Sequence, residues 1–472
     1  MKCVLNDGVK IRGFQLIPLC YYQNDVETAS KLTLEEYNLI KKCDGKQDLE
    51  KSDLLYSLIL DKKIIRPLKK DEEASNKEYQ LFKYCDNRYM PRMNLQITGH
   101  CNYNCIHCFN AVDNAPLNTH YKFEDLEKLF TEAEECGVHA ITITGGEPLV
   151  HPDFIKIIKS IYEHHMYVFE LNTNGALISK KLLDELKNIG CKPLIKISFD
   201  GLGYHDWMRN HNGAEEKTLD AIKLCIQQGF AVKIQYNINK HNISTVGESM
   251  ELLDSLGVEE TRFIPTTPSP RWDKNQGDNT FSLPEFFDAS LNILSLYASK
   301  KMKMALDIWQ LIQIDGEMVH LSIMPGVLDC YKDTIPFCKG ARGMIAIAAN
   351  GNVYPCLQMS GTYDDLGYFI GNVKKTPLKE LLNNSPYMKH ICQSLKDKKE
   401  FNPKCNKCNY FTICWGGCSA HGLLAYKNIL GRSPVSCYFF ENKLYHKFRE
   451  ALPNHYFVEL DPDLLLENKN QE

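Results

Sequence analysis

No stretch of this 472-residue chain approaches the roughly 20 consecutive apolar residues that a bilayer-crossing helix requires. The opening residues, MKCVLNDGVK, also lack the apolar core of a secretion signal. Nor is there an excess of one charge: 55 Lys and Arg face 59 Asp and Glu, a formal net charge of −4. So mild a balance offers no basic surface to nucleic acid or to an anionic membrane. These absences lead us to expect a cytoplasmic location, with no nucleic-acid and no membrane partner. What the chain does have is cysteine. Nineteen of them, with no mark of an oxidising compartment, point to metal rather than to disulfides. The length implies two or three domains.

The most informative cysteines are Cys101, Cys105 and Cys108, spaced C-x-x-x-C-x-x-C in ITGHCNYNCIHCF, just past a strand-like run. Three thiolates hold three corners of a four-iron cluster and leave the fourth iron open for chemistry. Zinc is the other reading, since His107 would complete a tetrahedral set. Zinc motifs use C-x-x-C pairs, however, and the three-residue gap is unusual for them.

Strand-like runs RMNLQIT, HAITIT, YVFELNT, PLIKISF, AVKIQYNI and TRFIPT alternate with helical patterns near 124–136, 152–165, 178–189, 215–229, 244–256 and 284–300. Six such units predict an α/β fold with a parallel sheet and helices outside. Periodicity does not separate an open doubly wound sheet from a barrel. In both, sites form at the C-terminal ends of strands. Three later motifs fall there: Gly145-Gly146-Glu147-Pro148, Asn172-Thr173-Asn174-Gly175 and Ser198-Phe199-Asp200-Gly201, with His205-Asp206-x-x-Arg209 beyond.

Together with the cysteine triad, these motifs resemble the radical S-adenosylmethionine (SAM) superfamily over roughly residues 93–270. The resemblance implies a partial (β/α)6 TIM-like barrel. It also implies that Cys101, Cys105 and Cys108 ligate a [4Fe-4S] cluster whose open iron takes the amine and carboxylate of SAM. His107 would then lie near the adenine. Gly145, Gly146 and Glu147 would receive the amine, Ser198 the ribose or carboxylate region, and Arg209 the carboxylate, which suits an arginine fork. The implied reaction is one-electron cleavage of SAM to a 5′-deoxyadenosyl radical, which takes a substrate hydrogen.

Eight further cysteines cluster late: Cys330, Cys338, Cys356, Cys405, Cys408, Cys414, Cys418 and Cys437. The run CNKCNYFTICWGGC reads C-x2-C-x5-C-x3-C, and G-x4-C at Gly351–Cys356 follows an Asn-Gly turn. C-x2-C pairs would also suit zinc. The full pattern resembles the SPASM extension of radical SAM enzymes, which carries two auxiliary [4Fe-4S] clusters, three clusters in all. The resemblance gives Cys405, Cys408, Cys414 and Cys437 to the outer cluster and Cys338, Cys356 and Cys418 to the inner one. Cys330 is the expected fourth ligand of the inner cluster. The remaining cysteines, such as Cys225 and Cys392, receive no role.

Ahead of the barrel, VKIRGFQLIPLCYY reads as one or two strands broken at Pro18. Thr33-Leu-Glu-Glu36 is a capping box opening a helix through about Cys43, stopped by Asp44-Gly45. Ser52 caps DLLYSLIL, the β-like KKIIRPL follows, and KKDEEASNKEYQ reads as a linker. This order resembles the winged-helix modules called RiPP recognition elements, which add a leader peptide as an extra strand. A small domain that merely closes the barrel is the alternative. The expected domains are 1–85 (winged-helix, peptide-binding), 86–310 (barrel) and 311–472 (cysteine-rich SPASM).

The expected function is modification of a ribosomal precursor peptide by C–H activation, forming a thioether or another intramolecular crosslink. A reductant such as flavodoxin or ferredoxin would supply the electron. One alternative is an anaerobic sulfatase-maturing enzyme oxidising a Ser or Cys of a protein. Such enzymes carry an aspartate after the cysteine equivalent to Cys356, where this chain has Leu357. The other is a non-catalytic iron–sulfur, peptide-binding scaffold, which would not need the SAM motifs. No catalytic acid or base is identified; Tyr236, Asp307 and Gln358 are candidates.

Overall fold

The structure is a computed structural model, and it describes residues 1–6, 9–14, 20–24, 28–70, 72, 81–83, 87–88, 90–108, 119–275, 277–325, 333–338, 340 and 343–469. Six parallel strands form its centre: Arg92–Thr98, Ala140–Gly145, Tyr167–Thr173, Leu194–Ser198, Val232–Ile238 and Glu260–Pro265. They coincide with the six predicted runs and pair in chain order. Each is followed by a helix or its equivalent, from Phe123–Glu135 to Leu283–Lys300. The result is the α/β partial barrel.

Both edges of these six strands are covered. Ala305–Ile308 adds a seventh parallel strand, after which Ile312–Asp315 and Met318–His320 turn back antiparallel. On the opposite edge Met344–Ile347 pairs parallel with Arg92–Thr98, and Val353–Tyr354 folds back on it. An open barrel exposes unpaired strand edges, and these later strands occupy them. A boundary at 310/311 thus cuts through one continuous sheet. The core is equally continuous, running from Leu95 and Ile143 through Ile308 to Val353 and Phe448.

The N-terminal residues have a separate core, which includes Leu5, Leu32, Tyr37, Ile40, Leu55 and Ile65. The capping box is present: Thr33 Oγ1 accepts from the Glu36 amide at 3.1 Å, and Glu36 accepts from the Thr33 amide at 2.7 Å. The helix it opens, Leu34–Ile40, stops short of Cys43. Ser52 caps Asp53–Leu60 as expected. Ile65–Pro67 pairs antiparallel with Cys3–Leu5. A four-stranded sheet runs in the order Thr28–Leu32, Cys20–Asn24, Lys10–Phe14, Leu81–Lys83. Leu81–Lys83 directly follows the presumed linker and belongs to the sheet. Pro18 and most of that linker lie outside the described residues. Thr33→Ala removes one half of the capping box and should destabilise this unit by about 1 kcal/mol, read as an earlier N-terminal transition in hydrogen exchange.

Among the described residues no helix is long and apolar enough to cross a membrane.

Candidate active site

The C-terminal strand ends open into a cavity of about 730 Å³. Cys101, Cys105, His107, Cys108, Gly145, Gly146, Ser198 and Arg209 all line it, as the sequence motifs suggest. Cys338, Cys356 and Cys418 line it too. The fold therefore brings two cysteine sets, more than 200 positions apart, around one space.

The cysteine triad sits in the loop after Arg92–Thr98, its thiols partly buried. Burial pushes the Cys101 thiol up to about 12, so a thiolate there needs a cation beside it. Ligand sulfurs around one zinc ion, at about 2.3 Å from it, would lie about 3.8 Å apart. Neither cysteine set is that tight. Among the described residues the only three ligand atoms mutually within 4.8 Å are those of His446, Asp461 and Asp463. That surface group is already paired with Lys443 and Arg449. Wide spacing suits a cluster, in which each sulfur meets its own iron.

The glycine pair does its work in an unexpected direction. A Cβ on Gly146 would lie 2.3 Å from the His100 carbonyl oxygen and 2.5 Å from that of Gly99. One on Gly145 would lie 2.6 Å from the Thr98 oxygen. The Gly146 amide donates to Thr98 O and the Glu147 amide to His100 O, each at 2.8 Å. The bare backbone thus seats the cysteine loop as well as bordering the cavity.

Glu147 departs from its expected role. Its carboxylate is fully buried and does not line the cavity. It accepts from Thr173 Oγ1 at 2.8 Å, the Asn174 amide at 2.7 Å and the Leu149 amide at 3.2 Å. Burial raises its pKa to about 7 in spite of these donors. The side chain ties one strand end to the next and leaves the cavity wall to the glycines. Sequence showed an acid beside a turn but not which way it faced.

Arg209 is buried and forms an ion pair with Asp200 at 2.7 Å, while its Nη1 donates to Cys105 Sγ at 3.7 Å. Burial alone would raise Asp200, but the Arg209 guanidinium holds its carboxyl well below the usual carboxylate range. Asn237 donates to Asp200 from its amide at 3.2 Å and from Nδ2 at 3.3 Å. His205 is locked as a neutral ring: Nδ1 accepts from the Asp200 amide at 3.0 Å, leaving Nε2 to face Thr218 Oγ1 at 3.1 Å. The whole network fixes one cation at the cavity wall.

His107 faces Asn237 Nδ2 at 3.4 Å, and burial drives its pKa down to about 4, leaving a neutral imidazole. Its Nδ1 is buried with no hydrogen-bond partner among the described residues. Of the candidate bases, Gln358 lines the cavity. Tyr236 does not: it is fully buried between Phe199 and Phe263. Asp307 is spent on Arg262 at 2.6 Å.

The late cysteines fall into two groups. The charges of Cys405, Cys408, Cys414 and Cys437 act on one another, and those of Cys338, Cys356 and Cys418 do likewise. Cys330 lies outside the described residues. Sequence reasoning missed several cavity residues. Asn237 was legible as an inward position in an alternating strand, and His421 as a neighbour of Cys418. The floor pairs, such as Lys196 with Glu170 at 2.6 Å, are charged residues at inward strand positions.

Comparison with known proteins agrees with this layout. Residues 95–253 match the radical SAM superfamily. Residues 338–409 match SPASM, an iron–sulfur cluster-binding domain. The AdoMet-dependent heme synthase of Methanosarcina barkeri is 24% identical over 73% of this chain and 95% of its own length. The antilisterial bacteriocin subtilosin biosynthesis protein AlbA of Bacillus subtilis is 24% identical over 70% of this chain and 67% of its own. Among solved structures, Streptococcus suis SuiB bound to its precursor peptide SuiA superposes with a TM-score of 0.62. That likeness, at 14% identity, covers 92% of this chain and 99% of SuiB, and it speaks to the fold.

Proposed function

Since this chain is a radical SAM enzyme with a SPASM iron–sulfur domain, we propose that it crosslinks a ribosomally made precursor peptide, joining a substrate thiol to carbon. The observation that carries the reading is the single cavity shared by the SAM motifs and the trio Cys338, Cys356 and Cys418. A peptide segment entering it is enclosed by both cysteine sets. Relatives of both kinds match this chain to a similar extent, the heme synthase over 73% and AlbA over 70%. The added N-terminal unit with a core of its own supports a peptide substrate, which it would bind.

In this reading Cys101, Cys105 and Cys108 hold the SAM cluster. Cys405, Cys408, Cys414 and Cys437 hold the outer auxiliary cluster, and Cys338, Cys356 and Cys418, with Cys330, the inner one. When bound, SAM and its cluster supply a 5′-deoxyadenosyl radical that takes a hydrogen atom from substrate. Gly145, Gly146 and Ser198 border the SAM site. Arg209, oriented by Asp200, offers its cation to the SAM carboxylate, and His107 offers a neutral ring to the adenine. The net change on the peptide is loss of two hydrogens as a carbon–sulfur bond forms. A C–H hydrogen atom would leave to the radical, the thiol proton to solvent, and one electron to the auxiliary clusters, which would be its acceptor.

The N-terminal unit is proposed to bind the leader by strand addition at a sheet edge. Tethering then raises the effective concentration of the core peptide at the cavity. Deleting the leader from the substrate should lower kcat/KM on the order of a hundredfold. Adding the leader separately should recover only part of that loss. The founding test is anaerobic reconstitution with SAM, dithionite and a short cysteine-containing peptide encoded beside this gene. Formation of 5′-deoxyadenosine with a peptide lighter by two hydrogens is expected. SAM turnover coupled to a tetrapyrrole and not to any peptide would overturn the reading.

A further inference from the structure

Lys398 is a fully buried lysine in the helix Leu395–Phe401. No carboxylate pairs with it among the described residues; its Nζ donates to the Gly417 carbonyl at 3.1 Å and lies 4.6 Å from the centre of the Phe337 ring. Gly417 directly precedes Cys418, and Phe337 directly precedes Cys338. On its other side the stem packs against Gly416, where a Cβ would come within 2.6 Å of Lys398 Cε. The Gly416 amide in turn donates to Cys414 Sγ at 3.3 Å. The ammonium therefore sits where the inner and outer cysteine groups meet.

The chain is shaped around this side chain. Trp415, Gly416 and Gly417 all have left-handed backbones, with φ of 52°, 70° and 71°. They reverse the chain between Cys414 of one group and Cys418 of the other. A β-carbon at Gly416 would expel the lysine stem. Burying a lone cation costs several kcal/mol unless it faces comparable negative charge. Burial lowers the Lys398 pKa, and among the described residues the groups that oppose this shift are cysteine sulfurs, Cys418, Cys405, Cys338 and Cys414, which would carry negative charge as cluster ligands.

We propose that Lys398 is the shared counter-cation of the two auxiliary iron–sulfur sites and raises the reduction potential of both together. A fixed positive charge favours the more negative, reduced form of a nearby cluster, and the low dielectric of the interior strengthens the effect. The inference rests on the reading that these cysteines hold clusters. It adds that the two sites are electrostatically one unit.

The test is spectroelectrochemical titration of the three reconstituted clusters in the full chain, comparing Lys398→Gln with Lys398→Arg. The Gln variant keeps a donor for Gly417 and removes the charge; the Arg variant keeps the charge. In Lys398→Gln both auxiliary potentials should fall while the SAM cluster's stays put, and Lys398→Arg should restore them towards wild type. Loss of auxiliary iron in Lys398→Gln but not in Lys398→Arg would also support the inference, as a requirement for charge. Full iron with unmoved potentials in Lys398→Gln would overturn it, as would a shift at one site alone. Equal iron loss in both variants would assign Lys398 to packing and overturn it too. Wild-type protein without auxiliary clusters would instead refute the underlying assignment, before any variant is made.

Discussion

Replacing Cys105 with alanine should reduce SAM cleavage to the background of cluster-free protein while leaving iron at the C-terminal sites. The triad lies in its own loop, seated on the glycine turn by hydrogen bonds that do not involve the later cysteines. Removing one thiol leaves two ligands for a cluster that needs three besides its open iron. It also frees Arg209 Nη1, which donates to that sulfur at 3.7 Å. The four outer and three inner cysteines occupy other elements, from Cys338 to Cys437, and should load normally. The measurement is iron content with the yield of 5′-deoxyadenosine under dithionite. Cys225→Ala is the matched control. Cys225 is fully buried in the helix Ala214–Gln227 and behaves as a small hydrophobe. Its replacement should cost about 1 kcal/mol of stability and leave all iron and all SAM cleavage intact. Continued cleavage by Cys105→Ala would remove the central assignment.

The barrel was legible because each of its strands alternates and each of its motifs follows a strand. Inward and outward positions read directly from period two, and turn residues mark the C-terminal ends. The cysteine spacings were equally plain. Three things were hidden, each for a physical reason. At the sheet edges, Met318–His320 has too few residues to show a period, and Met344–Ile347, strand-like within GMIAIAA and followed by a hairpin turn, gives no sign in sequence of its pairing with Arg92–Thr98. Side-chain direction within a turn is decided by partners distant in sequence. Glu147 turns inward because Thr173 and the Asn174 amide are there to receive it. Lys398 was the least visible. It stands in SLKDKKEF, a run that reads as a solvated helix face. Its neighbours Lys396 and Lys399 do pair with Glu400 and Asp333 at the surface. Only the left-handed Trp415-Gly416-Gly417 turn, packed on its stem, distinguishes it.

Two glycine-to-alanine substitutions should have opposite effects, and the contrast tests how the site is assembled. Gly146→Ala should destabilise the protein by about 3 kcal/mol or more and reduce SAM cleavage on the order of a hundredfold or more. The added methyl meets backbone oxygens of Gly99 and His100 at 2.5 and 2.3 Å. Backbone cannot rotate aside as a flexible side chain can, so the cysteine loop must lift off the strand Ala140–Gly145. Its three sulfurs then move relative to the cavity wall that carries Ser198 and Arg209. A shift of about 1 Å is enough to misplace reacting atoms. Gly247→Ala places the same methyl in the helix Val246–Leu256, where the nearest atom is a Leu296 methyl at 3.5 Å. There is room, and alanine is the better helix former, so stability should rise by about 0.5–1 kcal/mol with SAM cleavage unchanged. Thermal unfolding of each variant, with its yield of 5′-deoxyadenosine, checks both signs. If Gly146→Ala bound its cluster and cleaved SAM like wild type, the cysteine loop would not be seated on the glycine turn, and the geometry derived for the SAM site would be wrong.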